Sequence, residues 1–190
     1  MELLKEKILK EGRILSGNII KVDSFLNHQI DPKLAREIGK EFRRRFEDRG
    51  VSKILTIEAS GIAAAVMTGL ELDVPVVFAK KQKSANISET VFATMVESFT
   101  KGTKSTVIVS KDYLNSKDRV LIIDDFLAEG QAVMGLADIV RQSGASLVGA
   151  GIVIEKGFQQ GSKRLAGMGI HVESLAVIKS IEQGKIIFDR

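Results

Sequence analysis

The sequence predicts an α/β fold, a mainly parallel twisted sheet flanked by helices, in a single domain spanning residues 1–190. Three observations predict it. Strand-like and helix-like segments alternate from residue 51 to residue 154. The clearest strand, Val120-Leu121-Ile122-Ile123, is a continuous apolar run, which suits a strand covered on both faces of a parallel sheet. Two segments, around residues 51–72 and 120–143, share the order strand, small-residue turn, helix.

Taken in order, residues 2–11 read as a short helix with Leu3, Leu4 and Ile8 on one side and Gly12 as its C-cap. Residues 14–22 read as loop or short strand, and 23–30 are mixed in character. This amino-terminal part is expected to form a small hood. Asp31-Pro32 is a helix start, an N-cap followed by proline at the first helical position. Leu34, Ile38, Phe42 and Phe46 then recur every four residues as a core-facing stripe, and Gly50 ends the helix. Residues 51–57 form a strand, Glu58-Ala59-Ser60-Gly61 a turn, and 62–72 a buried apolar helix. Residues 74–79 form a strand ending at Lys80-Lys81. The polar stretch 84–104 has no helical period and predicts a β-hairpin or mobile β-ribbon, a flexible lid. A strand over 106–110 follows it. After the 120–123 strand come a helix to Ser143 closed by Gly144, a strand over 146–154, a short helix over 162–168, and strands over 172–178 and 185–188.

Composition narrows the function. Apolar residues make up 44% and charged residues 27%, ordinary for a water-soluble globular chain. There is no cysteine, which excludes disulfides and thiol chemistry. No apolar run approaches the roughly 18–20 residues that span a bilayer, and the charged start MELLKEKILKEG has no signal-peptide core, so a cytoplasmic protein without membrane contact is expected. The net charge of +4 raises nucleic acid as a partner. The basic residues are dispersed among acids and aromatics are only 5%, so an anionic small substrate is the expectation and nucleic acid is not.

In parallel sheets, ligands bind outside the carboxyl ends of the strands. Ser60, Lys80, Asp124, Asp125 and Lys156 all fall at such ends. The stretch 128–132, Ala-Glu-Gly-Gln-Ala, is a small-residue loop at a helix start. Such a loop gathers backbone N–H groups and the positive end of the helix dipole into a cradle for phosphate. Asp124 and Asp125 just before it can accept hydrogen bonds from hydroxyls beside the phosphate, so a sugar phosphate satisfies both halves. The same pattern also fits a plain strand-to-helix turn with two solvated aspartates. No Gly-Lys-Ser/Thr and no G-x-G-x-x-G is present at this loop.

The order apolar strand, Asp-Asp, Phe-Leu-Ala-x-Gly, helix resembles the phosphoribosyl diphosphate (PRPP) motif of the type I phosphoribosyltransferases. KVDSFLNHQIDP, SGIAAAVMTGL, PVVFAKKQKS and GIVIEKGFQ resemble the bacterial xanthine-using members of that family. The resemblance implies transfer of the 5-phosphoribosyl group of PRPP to xanthine, giving xanthosine 5′-monophosphate (XMP) and pyrophosphate in purine salvage. It implies Asp124 and Asp125 on the ribose hydroxyls, Ala128, Glu129, Gly130, Gln131 and Ala132 around the 5′-phosphate, and Ser60, Gly61, Lys80 and Lys81 at the pyrophosphate. Mg²⁺ would be bridged mainly through PRPP and pyrophosphate, with no protein residue assigned to it. The base would meet Ile20, Asn27, Lys156 and Phe158, with Lys156 donating to a 6-oxo group. Taken alone, Lys156 also reads as a solvated strand-end lysine, Phe158 as core and Ile20 as packing.

The loop departs from the usual Thr-Gly-Gly-Thr type, and Glu129 must turn its carboxylate away from the phosphate. A homodimer is implied, with Lys80 or Lys81 serving a neighbouring subunit. Alternatives are a hypoxanthine or guanine enzyme, or a PRPP-sensing transcription regulator. The residues ahead of Val51 are too few for a DNA-binding domain with its linker.

Overall fold

The computed structural model describes residues 1–15, 19–82, 89–98 and 103–189. The chain runs α1 (Glu2–Glu11), β1 (Arg13–Leu15), β2 (Ile19–Lys21), α2 (Pro32–Phe46), β3 (Lys53–Ile57), α3 (Ile62–Leu72) and β4 (Val76–Gln82). It continues through β5 (Val91–Ser98), β6 (Thr103–Ser110), β7 (Arg119–Leu127), α4 (Gln131–Ser143), β8 (Ser146–Lys156), α5 (Gly161–Gly167), β9 (Val172–Glu182) and β10 (Lys185–Phe188). Among the described residues no helix is long and apolar enough to cross a membrane.

One sheet has the order β10-β9-β8-β7-β3-β4-β6-β5. Its centre, β9-β8-β7-β3-β4, is parallel throughout, and β10, β6 and β5 add antiparallel edges. Two apolar cores lie on its two faces. On one, α2 and α3 cover Ile54, Leu121, Ile123 and Val153. On the other, α4 covers Leu55, Ile122, Ala150 and Ile152. The stripe Leu34, Ile38, Phe42 and Phe46 is buried as the spacing requires, and Gly39 brings α2 so close to α3 that a Cβ there would stand 2.6 Å from the Met67 carbonyl oxygen. The Asp31 carboxylate caps α2 by accepting from the N–H groups of Lys33 (3.0 Å) and Leu34 (3.2 Å). The hood is α1, the β1–β2 pair and a π-helical turn, Asp23–Asn27, joined to the first core through Leu4, Ile8, Ile20 and Phe25.

Three expectations are corrected. The strands outlast their apolar runs, so Lys80, Lys81, Asp124, Asp125 and Lys156 lie inside β4, β7 and β8. Helix α3 is not buried all round, since Val66 is 45% and Leu70 68% exposed. The described part of the 84–104 stretch takes the hairpin form, and it is docked on the sheet rather than standing free as a lid: β5 pairs along its length with β6, which pairs with β4. Its polar look reflects strands at the margin of the sheet with one open face. The Gln142 amide on α4 donates to Ala93 O (2.8 Å) and accepts from Ala93 N (3.4 Å), and Val96 packs into the second core. Residues 83–88 and 99–102 of that region lie outside the described residues. Val96→Ala should therefore lower unfolding free energy by about 1 kcal/mol in urea titrations; unchanged stability would mean the hairpin is undocked in solution.

Candidate active site

The first two parallel strands leave β3 in opposite directions: the chain passes through α3 to β4 on one side, then returns to β7 on the other. Because α3 and α4 cover opposite faces, a crevice opens between the carboxyl ends of β3 and β7. Both helices begin there. Unlike α2, both start at glycine, Gly61 and Gly130, with no side chain capping them. The Ile62 N–H of α3 donates back to Ala59 O at 3.2 Å, and no side chain takes the N–H groups that follow it or those that open α4, which leaves them for a ligand to satisfy.

Asp124 is 4% exposed at this crevice, beside half-buried Asp125. The Asp125 N–H donates to Asp124 Oδ1 at 2.9 Å. Burial first, then the charge of Asp125, raises the Asp124 pKa well above the ordinary carboxylate value, and Lys81 partly offsets this. The β3–α3 turn presses on the pair: a Cβ at Gly61 would come 2.4 Å from Thr56 Oγ1 and 3.2 Å from Asp124 Oδ1. Thr56 Oγ1 is buried without a protein partner. The Glu58–Ala59 peptide is cis, and Glu58 ties the turn to β4, accepting from Lys81 N at 2.6 Å and donating from its own N–H to Ala79 O at 3.1 Å.

Lys80 and Lys81 point to opposite faces of β4, as the two-residue period demands. Lys81 acts on Asp124, whereas Lys80 lies in a separate cleft near the Phe78 ring, 5.9 Å from its centroid. Within one chain, Lys80 therefore stands apart from the crevice that Lys81 faces.

The 128–132 loop reaches Gly130, whose φ of 85° belongs to glycine, and enters α4 at Gln131. Helix α5 braces it. Gly161 N–H donates to Ala128 O at 3.0 Å, and a Cβ at Gly130 would meet Gly161 Cα at 3.4 Å. The Glu129 carboxylate pairs with the Arg164 guanidinium at 2.9 Å.

On the far side of β7, the Lys156 ammonium stands 6.0 Å from the Phe126 ring centroid, and burial lowers its pKa. Phe126 and Phe158 both pack partly against the core that contains Ile20. Asn27 is exposed at the end of the hood's π-helical turn. Glu155, next to Lys156, accepts from Ser162 Oγ and from Ser174 Oγ (2.5 Å), fixing the turn from β8 into α5.

A phosphoribosyl transferase domain model matches residues 22–167. The chain belongs to the phosphoribosyltransferase family. It is 57% identical over 188 residues to a xanthine phosphoribosyltransferase of Oceanobacillus iheyensis, covering 99% of this chain and 97% of that protein. A xanthine phosphoribosyltransferase of Bacillus mycoides is 55% identical over 188 residues, covering 99% and 95%. The fold is shared with the crystal structure of adenine phosphoribosyltransferase from Rhodothermus marinus (TM-score 0.76, 22% identity, covering 94% of this chain and 100% of that one). The corresponding enzyme of Trypanosoma brucei gives a TM-score of 0.75 at 20% identity, covering 92% and 78%.

Sequence reasoning missed four residues that the structure brings against the candidate site residues. Phe126 carries a signal, since it directly follows the acidic pair. Thr56, whose hydroxyl has no protein partner, and Glu155 carry none, nor does Arg164, whose partner Glu129 lies 35 residues away.

Asp124 titrates higher in the folded protein than in the unfolded chain, so folding binds a proton between the two values and stability falls as pH rises through that interval. Below the ordinary carboxylate range, about pH 4, the penalty vanishes. Asp124→Asn should thus melt above wild type at neutral pH, the gap closing toward about pH 4, while turnover is lost. A lower melting temperature at neutral pH would contradict the assigned burial cost.

Proposed function

We propose that this phosphoribosyltransferase, acting as a single functional domain, moves the 5-phosphoribosyl group of PRPP to xanthine, forming XMP and pyrophosphate. The observation that carries the reading is the crevice itself: an acidic pair between two glycine-started helices, with a half-buried lysine beyond it. High identity to proteins named xanthine phosphoribosyltransferase supports the choice of base.

In this reading the loop 128–132 holds the 5′-phosphate through backbone N–H groups. Asp124 and Asp125 accept from the ribose hydroxyls, and arrival of those donors favours the ionised Asp124. Ser60, Gly61 and Lys81 receive the pyrophosphate. The bond from C1 of ribose to pyrophosphate breaks, and the leaving group takes the electron pair. A base nitrogen then bonds to C1, and its proton is lost to solvent. The carboxylates stabilise positive charge on the sugar as it develops, in a crevice that limits water.

Lys156 donates to a 6-oxo group, which adenine lacks, and Phe126 and Phe158 flank the ring together with Ile20 and Asn27 of the hood. Asp124 and Asp125 are hard oxygen donors suited to Mg²⁺, and among the described residues no group of three or more acidic, His or Cys side chains is gathered for a metal. In this reading PRPP would supply most of the ion's ligands. When bound, Mg²⁺ neutralises charge on the pyrophosphate.

A cytoplasmic homodimer completes the proposal. A cleft of about 630 Å³, lined by Val76, Phe78, Lys80, Ile108 and Tyr113, opens on the edge strands. Phe78 and Tyr113 there are 42% and 63% exposed, the kind of apolar surface a second copy covers. In this reading Lys80, which lines that cleft, serves the neighbouring subunit's site.

With PRPP and Mg²⁺, xanthine should be converted to XMP. Lys156→Ala should raise the KM for xanthine by about tenfold or more while the KM for PRPP stays near wild type. Equal rises in both constants would remove Lys156 from the base pocket.

A further inference from the structure

Glu129 is the one acidic side chain in a loop whose proposed cargo is a phosphate dianion. The loop's other members, Ala128, Gly130, Gln131 and Ala132, are neutral. An anionic side chain at the start of α4 is attracted to the same N–H groups and dipole as the phosphate. It is therefore an internal competitor for the cradle. The structure shows what restrains it. Arg164 Nη2 pairs with Glu129 Oε2 at 2.9 Å, and Arg164 Nη1 donates to the Glu129 carbonyl oxygen at 3.3 Å. One guanidinium grips both the side chain and the main chain of the same residue. The pair is well enclosed on the acidic side, with the Glu129 side chain 13% exposed against 43% for Arg164. Helix α5 is fixed to the loop independently through the Gly161 to Ala128 hydrogen bond, so Arg164 starts from an anchored position.

We infer that Arg164 is a positioning residue for the 5′-phosphate of the substrate: by holding the carboxylate and carbonyl of Glu129 away from the cradle, it leaves the α4 N–H groups free for phosphate. This rests on the reading of residues 128–132 as the phosphate cradle. Arg164 itself touches no reacting atom. Its contribution is to substrate affinity at the ribose phosphate end, not to the pyrophosphate end or to the base.

The experiment compares wild type with Arg164→Ala, Arg164→Lys and the double variant Arg164→Ala/Glu129→Gln. KM values for PRPP and xanthine are measured, and ribose 5-phosphate and pyrophosphate are titrated separately by calorimetry. Melting temperatures identify any unfolded variant. Arg164→Ala should raise the KM for PRPP and the Kd for ribose 5-phosphate by about tenfold, the equivalent of one lost charge interaction. The Kd for pyrophosphate and the KM for xanthine should stay near wild type. Arg164→Lys, which keeps the charge, should recover part of the loss. Glu129→Gln in the Arg164→Ala background should recover most of it, because the competitor is then neutral.

No change in ribose 5-phosphate affinity for Arg164→Ala, or a loss that Glu129→Gln fails to relieve, would overturn the inference. Gly130→Ala separates this from failure of the cradle reading. If Gly130→Ala, folded, binds ribose 5-phosphate as wild type does, the cradle is misplaced. If it weakens that binding while Arg164→Ala does not, only the role of Arg164 falls.

Discussion

A carboxylate held almost out of water beside a second carboxylate is costly, and the surrounding structure is arranged around that cost. Asp124 reaches this state because β7 is a central strand with helices over both faces, so its carboxyl end is screened on both sides. The β3–α3 turn then closes in so tightly that only glycine fits at residue 61. A molecule selected for stability alone would place an amide or an apolar group there. Two uncapped helix starts on either side make the site positive at its edges and negative at its centre. A sugar with phosphates at both ends has the complementary order.

Helix α5 is short, yet it connects the two halves of the site. Its first residue, Gly161, grips the phosphate loop at Ala128. Ser162 reaches Glu155, the neighbour of Lys156 on β8. Arg164 holds Glu129. The 128–132 loop and the strand that carries Lys156, to which the proposal gives the phosphate and the base, therefore share one support.

The fold class and most helix limits were legible in the sequence, because their signals are local. Asp31-Pro32 marks the start of α2 by a cap and a fixed φ, and Gly144 ends α4 in the left-handed region, with φ of 73°. Strand ends were read short for a physical reason. Apolar runs report burial, whereas a strand continues as long as its ladder does, so polar Lys81, Asp125 and Lys156 fall inside strands. The hairpin of β5 and β6 was read as a lid because one face of each strand stays open, which breaks the apolar run. At the site, the acidic pair and the phosphate loop were visible as one motif. Arg164 was not, since its partner lies 35 residues away and only the packing of α5 on the loop brings them together. The opposed directions of Lys80 and Lys81 follow from the strand period once residues 80 and 81 are known to be in β4.

The most direct test of the site as described is a competition among bases. Xanthine, hypoxanthine, guanine and adenine at equal concentration, with limiting PRPP and Mg²⁺, are offered to the protein, and the nucleotide products are separated and measured. Predominant XMP with no AMP is the predicted result, since a lysine donor at a 6-oxo group rewards oxopurines and leaves adenine unmatched. AMP as the main product would contradict the role given to Lys156, and no nucleotide from any base would contradict the placement of PRPP at the Asp124–Asp125 crevice.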